Sequence, residues 1–133
     1  MSKKADRTMA RISIKRAYDA PDAEDGYRVL VDRIWPRGRS RESLQLDLQA
    51  PELAPSVALR KWFSHDPERW PEFHERYGEE LRAESMQHRM RDLFAAAHGQ
   101  RITLVYGAKD LEHNHAVILQ AALLRLPENS AAS

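Results

Sequence analysis

Two short apolar runs constrain this chain more than any other feature. Tyr27-Arg28-Val29-Leu30-Val31 and Ile102-Thr103-Leu104-Val105-Tyr106 are too short for helices and too continuously apolar for strands with a wet face. Both are therefore expected to be strands buried on both sides. The first run changes character at Asp32-Arg33 and continues as Ile34-Trp35-Pro36-Arg37-Gly38-Arg39-Ser40-Arg41. A buried strand tolerates charge poorly, so Asp32 and Arg33 should either pair or emerge at the strand's end, where open α/β sheets place their ligands.

Around these runs the pattern alternates between strands and helices. Ile12-Ser13-Ile14-Lys15-Arg16 reads as an outer strand, and the acidic segment 19–26 as a turn-rich loop. Leu44-Gln45-Leu46-Asp47-Leu48 alternates as a short strand would. Ser56 is placed to cap a helix carrying Val57, Leu59, Trp62 and Phe63, and Asp66-Pro67-Glu68 to cap a second. Trp70, Phe73, Tyr77 and Leu81 recur near the helical period, as do Met86, Met90, Leu93 and Phe94 after a Ser85 cap. Asp110 is expected to cap a last helix with Val117, Ile118, Ala121 and Leu124 on its apolar side, ended by Pro127. The fold class is α/β: a small single domain over 11–127, with a mostly parallel central sheet and helices packed on its faces. Residues 1–10 read as a disordered N-terminal arm and 128–133 as a loose tail.

Length suits one core, since 133 residues can bury enough apolar surface without staples. The chain has no cysteine, which removes disulfides, thiolate ligands and thiol nucleophiles, and agrees with a reducing cytoplasm. No apolar run approaches the length of a membrane span. A formal net charge of +1 gives no global argument for a polyanion partner. Charge is nevertheless uneven: the 28–41 segment holds five arginines against Asp32, whereas 72–84 holds five glutamates against Arg76 and Arg82.

In a parallel sheet the loops after the strands share one edge, so 32–39 and 107–114 should be neighbours. That would gather Asp32, Arg33, Arg37, Lys109, Asp110 and Asn114 around a helix N-terminus, where free N–H groups and the helix dipole favour an anion. Guanidinium forks bind phosphate or carboxylate bidentately. The alternative is a structural network in which Asp32 bonds Arg33, Arg60 or a backbone amide. Trp35 offers a flat face for a ring, or a plug for the core edge. His65, beside Asp66, could act as general acid or base with Asp32, or be a turn residue. His113 and His115 lie two apart and do not share a helix face, so no metal site is expected. No phosphate-binding glycine pattern, nucleophile elbow or cofactor motif is present.

Three spaced motifs carry a resemblance. Asp32-Arg33-x-Trp35-Pro36-Arg37-Gly38 is the first. Ala54-Pro55-Ser56 with Leu59-Arg60-x-Trp62-Phe63-x-His65-Asp66-Pro67 and Trp70 is the second. Thr103-Leu104-x-Tyr106-x-Ala108-x-Asp110 with Asn114-x-Ala116 is the third. Together they resemble the YeaO-like branch of the domain of unknown function 488 (DUF488) family, over residues 12–126. The resemblance implies a compact single α/β domain of bacterial or archaeal type and names no substrate. Longer relatives carry a cysteine near the end of the last strand and a Cys-His-Arg at the following helix. This chain has Tyr106-Gly107-Ala108 and Asn114-His115-Ala116 there, so thiol chemistry does not carry over.

The expected function is binding or processing of a small anionic molecule, a nucleotide or phosphoester, at the C-terminal edge of the sheet. Arg33, Trp35, Arg37, Lys109, Asp110 and Asn114 would bind it, and Asp32 or His65 would handle a proton. The alternatives are a nucleic-acid-binding or regulatory module using the 28–41 segment, and a protein-interaction domain using the acidic 72–84 face.

Overall fold

The computed structural model describes residues 11–126, so the expected arm over 1–10 and tail over 128–133 lie outside the described residues. Four strands, β1 (Ile12–Arg16), β2 (Tyr27–Leu30), β3 (Leu48–Gln49) and β4 (Ile102–Tyr106), form one sheet in the order β1-β4-β2-β3. Every pairing is parallel. Ile12 lies opposite Ile102 and Arg16 opposite Tyr106 on one side of β4. Tyr27 lies opposite Ile102 and Leu30 opposite Val105 on the other. With two neighbours and both faces covered, all five residues of β4 are buried, which is why that run is apolar throughout.

Alternation along the strands divides the core in two. Ile12, Val29, Val31, Ile102, Leu104 and Tyr106 face a large cluster, whereas Leu30 and Val105 face a smaller one with Ala17 and Leu44. The helices α2 (Val57–Phe63), α3 (Trp70–Arg82), α4 (Glu84–Ala97) and α5 (His115–Arg125) all contribute to the large cluster. The short α1 (Arg41–Leu44) covers the other face through Leu44. The apolar stripes of α3 and α4 are as the periodicity predicts: Phe73, Tyr77, Leu81, Met86, Met90, Leu93 and Phe94 are buried. Among the described residues no helix is long and apolar enough to cross a membrane.

Several boundaries differ from expectation, each for a local reason. The 44–48 alternation is not a strand. Ser40 and Ser43 form a reciprocal cap that starts α1 at Arg41, Gln45 turns left-handed to end it, and pairing begins only at Leu48. Ser85 caps nothing, because α4 starts at Glu84 directly after Ala83, the single residue separating it from α3. Asp110 does not cap α5. Asn114 does, its Oδ1 accepting from the Val117 amide at 3.2 Å, so the buried side of the helix is Ala116, Ile118, Leu119 and Leu123. Ser56 caps α2 as expected and is itself held by Glu80 of α3, which accepts from its amide at 2.9 Å and its hydroxyl at 2.7 Å.

The acidic loop before β2 is not simply solvated. A 3-10 turn over Ala23–Asp25 places Asp25 inside, between Arg28 and Lys15. Gly26 then makes a turn at φ 69° and ψ −126°, and a Cβ there would meet the Arg101 carbonyl oxygen at 2.4 Å. We expect Gly26→Ala to lower unfolding free energy by about 2–3 kcal/mol in a urea melt, from backbone strain and that contact. A variant as stable as wild type would contradict this conformation.

Candidate functional site at the C-terminal edge of the sheet

The pairing ladder ends at Ala17, Val31 and Tyr106: the Ala17 amide bonds the Tyr106 carbonyl, and the Val31 amide bonds the Val105 carbonyl at 3.0 Å. Tyr18, Asp32 and Gly107 therefore emerge together. After β2 the chain passes to the face covered by α1, and after β4 it passes to the face covered by α5. Adjacent parallel strands whose connections leave in opposite directions open a crevice between their ends. A cavity of about 300 Å³ lies there.

Asp32 pins the crevice. Its Oδ2 accepts from the Gly107 amide at 2.9 Å, joining the ends of β2 and β4. A Cβ on Gly107 would sit 3.1 Å from that oxygen, which is why the close approach needs glycine there. Oδ1 is buried and 3.2 Å from His115 Nε2, yet makes no hydrogen bond among the described residues. The imidazole Nε2 is instead engaged with the Val31 carbonyl at 2.8 Å. A carbonyl can only accept, so Nε2 carries the proton and the Asp32 charge lies alongside it as an electrostatic neighbour. The ring packs edge-on to Tyr77 at 6.1 Å.

Three exposed arginines line the crevice around this floor. Arg33 donates from Nε to the Pro55 carbonyl at 2.9 Å. Arg37 and Arg60 also line the cavity, and neither they nor Arg33 form a salt bridge among the described residues. The aromatic wall is Phe63 and Phe73, stacked with centroids 4.2 Å apart. His65 also lines the cavity, at φ 58° after Ser64 at φ 48°. These two left-handed residues end α2 and turn the chain into Asp66, which caps the next turn through the Glu68 amide.

Of the eight residues singled out from the sequence, Asp32, Arg33, Trp35, Arg37, His65 and Asn114 line this cavity, while Lys109 and Asp110 do not. Trp35 is mainly a plug: its indole N–H donates to the Arg39 carbonyl at 2.6 Å and its ring packs on the smaller core. Asp110 organises the loop, accepting from the Glu112 and His113 amides and from the His113 ring, each at 2.9 Å. The two backbone bonds, then the imidazole, hold its carboxyl below the ordinary range. Lys109 is exposed beside it. Asp32 and Arg33 are not an ion pair; of the bonds open to Asp32, the structure forms the one to a backbone amide.

Tyr18, Arg60, His113 and His115 also line the cavity and were not among the expected site residues. Positions i and i+2 on a continuous helix diverge, which would keep the two histidines apart. They straddle the helix start instead, His113 before the cap and His115 at the first helical position, so both reach the crevice. A second cavity, of about 440 Å³, lies between α3 and α5 with His74, Gly78, Leu81, Ile118 and Ala122 in its walls. It is larger and also carries polar groups, among them Glu75, Arg82, Gln87 and Arg125, but it lies away from the strand ends, where parallel α/β sheets place their ligands. Among the described residues no cluster of three histidines or carboxylates is placed to hold a metal ion.

Fold and crevice together define a small, wholly parallel α/β domain with a basic and aromatic pocket at a topological switch point. Residues 11–132 match the family described as the inactive DUF488-N3 subclade, and the chain belongs to that family. It is 41% identical to the uncharacterized protein YeaO of Escherichia coli K12 over 81% of this chain and 92% of that one. It is 36% identical to the uncharacterized protein Rv3073c of Mycobacterium tuberculosis H37Rv over 85% of this chain and 93% of the relative. No solved structure shows a significant match.

Proposed function

We propose that this domain binds a small anionic ligand, a phosphoester or nucleotide, in the crevice between the ends of β2 and β4. The observation that carries the reading is the convergence of Arg33, Arg37 and Arg60, none in a salt bridge among the described residues, on one cavity at the switch point. Guanidinium groups left without carboxylates beside a concave site are poised for charge-assisted bonds to an anion. The start of α5 adds its dipole from the same side.

Binding is favoured over processing. Asp32 is occupied in joining the strands, the family description is of an inactive subclade, and His65 is a turn residue with no hydrogen-bonded carboxylate among the described residues. Asp32 and His65 then serve as floor and rim. The nucleic-acid reading draws less support, because the 28–41 arginines do not form one outward stripe: Arg28 is buried on Asp25, and Arg39 donates to the Ala17 carbonyl.

Thermal unfolding in phosphate and simple phosphate esters, against chloride at matched ionic strength, tests the proposal. The melting temperature should rise by several degrees with a saturable anion, by mass action, and the rise should be absent in Arg37→Ala. A rise confined to oligonucleotides and abolished by added salt would replace this reading with nucleic-acid binding.

A further inference from the structure

Resting on the anion-binding reading above, the geometry points to a narrower ligand class: we infer that the crevice takes an anion carrying a flat unsaturated ring, an aryl phosphate, and discriminates against polyol and sugar phosphates. The cavity holds about 300 Å³, at the small end of ligand sites, enough for one ring and one anionic group.

The neutral polar groups of the lining argue against a hydroxyl-rich ligand, because most are already spent. The Tyr18 hydroxyl donates to the Arg37 carbonyl, the Trp35 indole N–H to the Arg39 carbonyl, and the Asn114 amide uses its oxygen on Val117 and its nitrogen on the Asp110 carbonyl. Among the described residues no serine, threonine, glutamine or lysine lines the cavity. A polyol would have to draw its partners from the same arginines, and from Asp32 Oδ1, that lie around the anionic group, whereas a flat ring asks for none.

The apolar lining argues for a ring. Phe63 and Phe73 form a stacked wall, and Ile34, also in the lining, is 61% exposed at the mouth. An isoleucine left that open beside arginines is covered when a ring lies between it and the phenyl wall, with the anionic group on the guanidinium side.

Binding of inorganic phosphate, glycerol 3-phosphate, phenyl phosphate and phenol, followed by calorimetry on the full chain and on Ile34→Ser, tests this. Phenyl phosphate should bind at least tenfold tighter than either inorganic phosphate or glycerol phosphate, and phenol should not bind detectably. Ile34→Ser should weaken phenyl phosphate several-fold and leave inorganic phosphate unchanged; because Ile34 is exposed, the variant should keep the wild-type melting temperature. Equal affinity for phosphate and phenyl phosphate, or a preference for glycerol phosphate, overturns the ring inference while the anion reading stands. If none of the three anions binds, both fall.

Discussion

Asp25→Ala is expected to lower the unfolding free energy by about 3–5 kcal/mol, because it leaves a buried cation uncompensated. Arg28 is only 4% exposed, and its Nη1 lies 2.6 Å from Asp25 Oδ2. The same carboxylate accepts from Lys15 Nζ at 3.1 Å and from the Asp22 amide at 2.9 Å, and the Asp25 carbonyl accepts from Thr103 of β4 at 2.7 Å. Arg28 Nε holds the Leu44 carbonyl at 2.9 Å, so the network also fastens α1 to the second face of the sheet. Loss of the carboxylate thus strands Arg28 and removes the bonds to Lys15 and the Asp22 amide. A urea melt at neutral pH reads the loss directly; a change below about 1 kcal/mol would contradict the network. Replacing both partners with apolar residues, Asp25→Leu with Arg28→Met, should recover much of the loss, since the cost lies in the unpaired charge.

The same residue sets an acid limit. Burial alone would raise the Asp25 carboxyl, but the Asp22 amide and the two cations outweigh it and hold the carboxyl below its ordinary value. Its folded value being depressed, the unfolded chain binds the proton more readily. The stabilisation is therefore complete at neutral pH and is lost as pH falls through the carboxylate range. Wild type should lose stability on acidification more steeply than Asp25→Asn, and parallel curves would contradict the assignment.

Tyr77→Ala carries the second large effect, about 3–5 kcal/mol from the cavity left in the main core. Tyr77 is fully buried, its ring lies 6.0 Å from Phe73 and 6.1 Å from His115, and its hydroxyl donates to the Leu53 carbonyl at 2.5 Å. Burial first, then the charges of Glu80 and Asp32, push its phenol well above the ordinary value, so it remains a neutral donor. Tyr77→Phe keeps the ring and strands the Leu53 carbonyl, for an expected loss of about 1–3 kcal/mol. The two losses in urea melts should be clearly ordered; equal losses would mean that the hydrogen bond rather than packing dominates. Because Tyr77 underlies His115, and Phe73 is part of the pocket wall, the alanine variant should also weaken anion binding.

The parallel sheet was legible because β4 and the end of β2 are apolar without alternation, which only burial on both faces explains. The crevice was legible because parallel strands must release their loops at one edge, and this placed Asp32, Arg33 and Arg37 beside Asn114. What escaped depended on how the loops fold and on which groups meet there. Asp25 sits among acids in a turn-rich loop and becomes buried only because Lys15 and Arg28 converge on it from two strands. Asp110 and Asn114 are both good caps, and the choice between them turns on where the loop folds back on itself. His115 could not be recognised as part of the floor until the helix start was known, since its meaning rests on the Val31 carbonyl of another strand.

The central claim is that an anion is held between the ends of β2 and β4, and amide-resolved NMR during a phosphate titration tests it most directly. Saturable shifts at Arg33, Arg37, Gly107, Ala108 and His115, with the amides of His74, Gly78 and Ala122 around the second cavity unmoved, are the predicted result. Shifts centred on that second cavity, or no saturable shift at all, would contradict it.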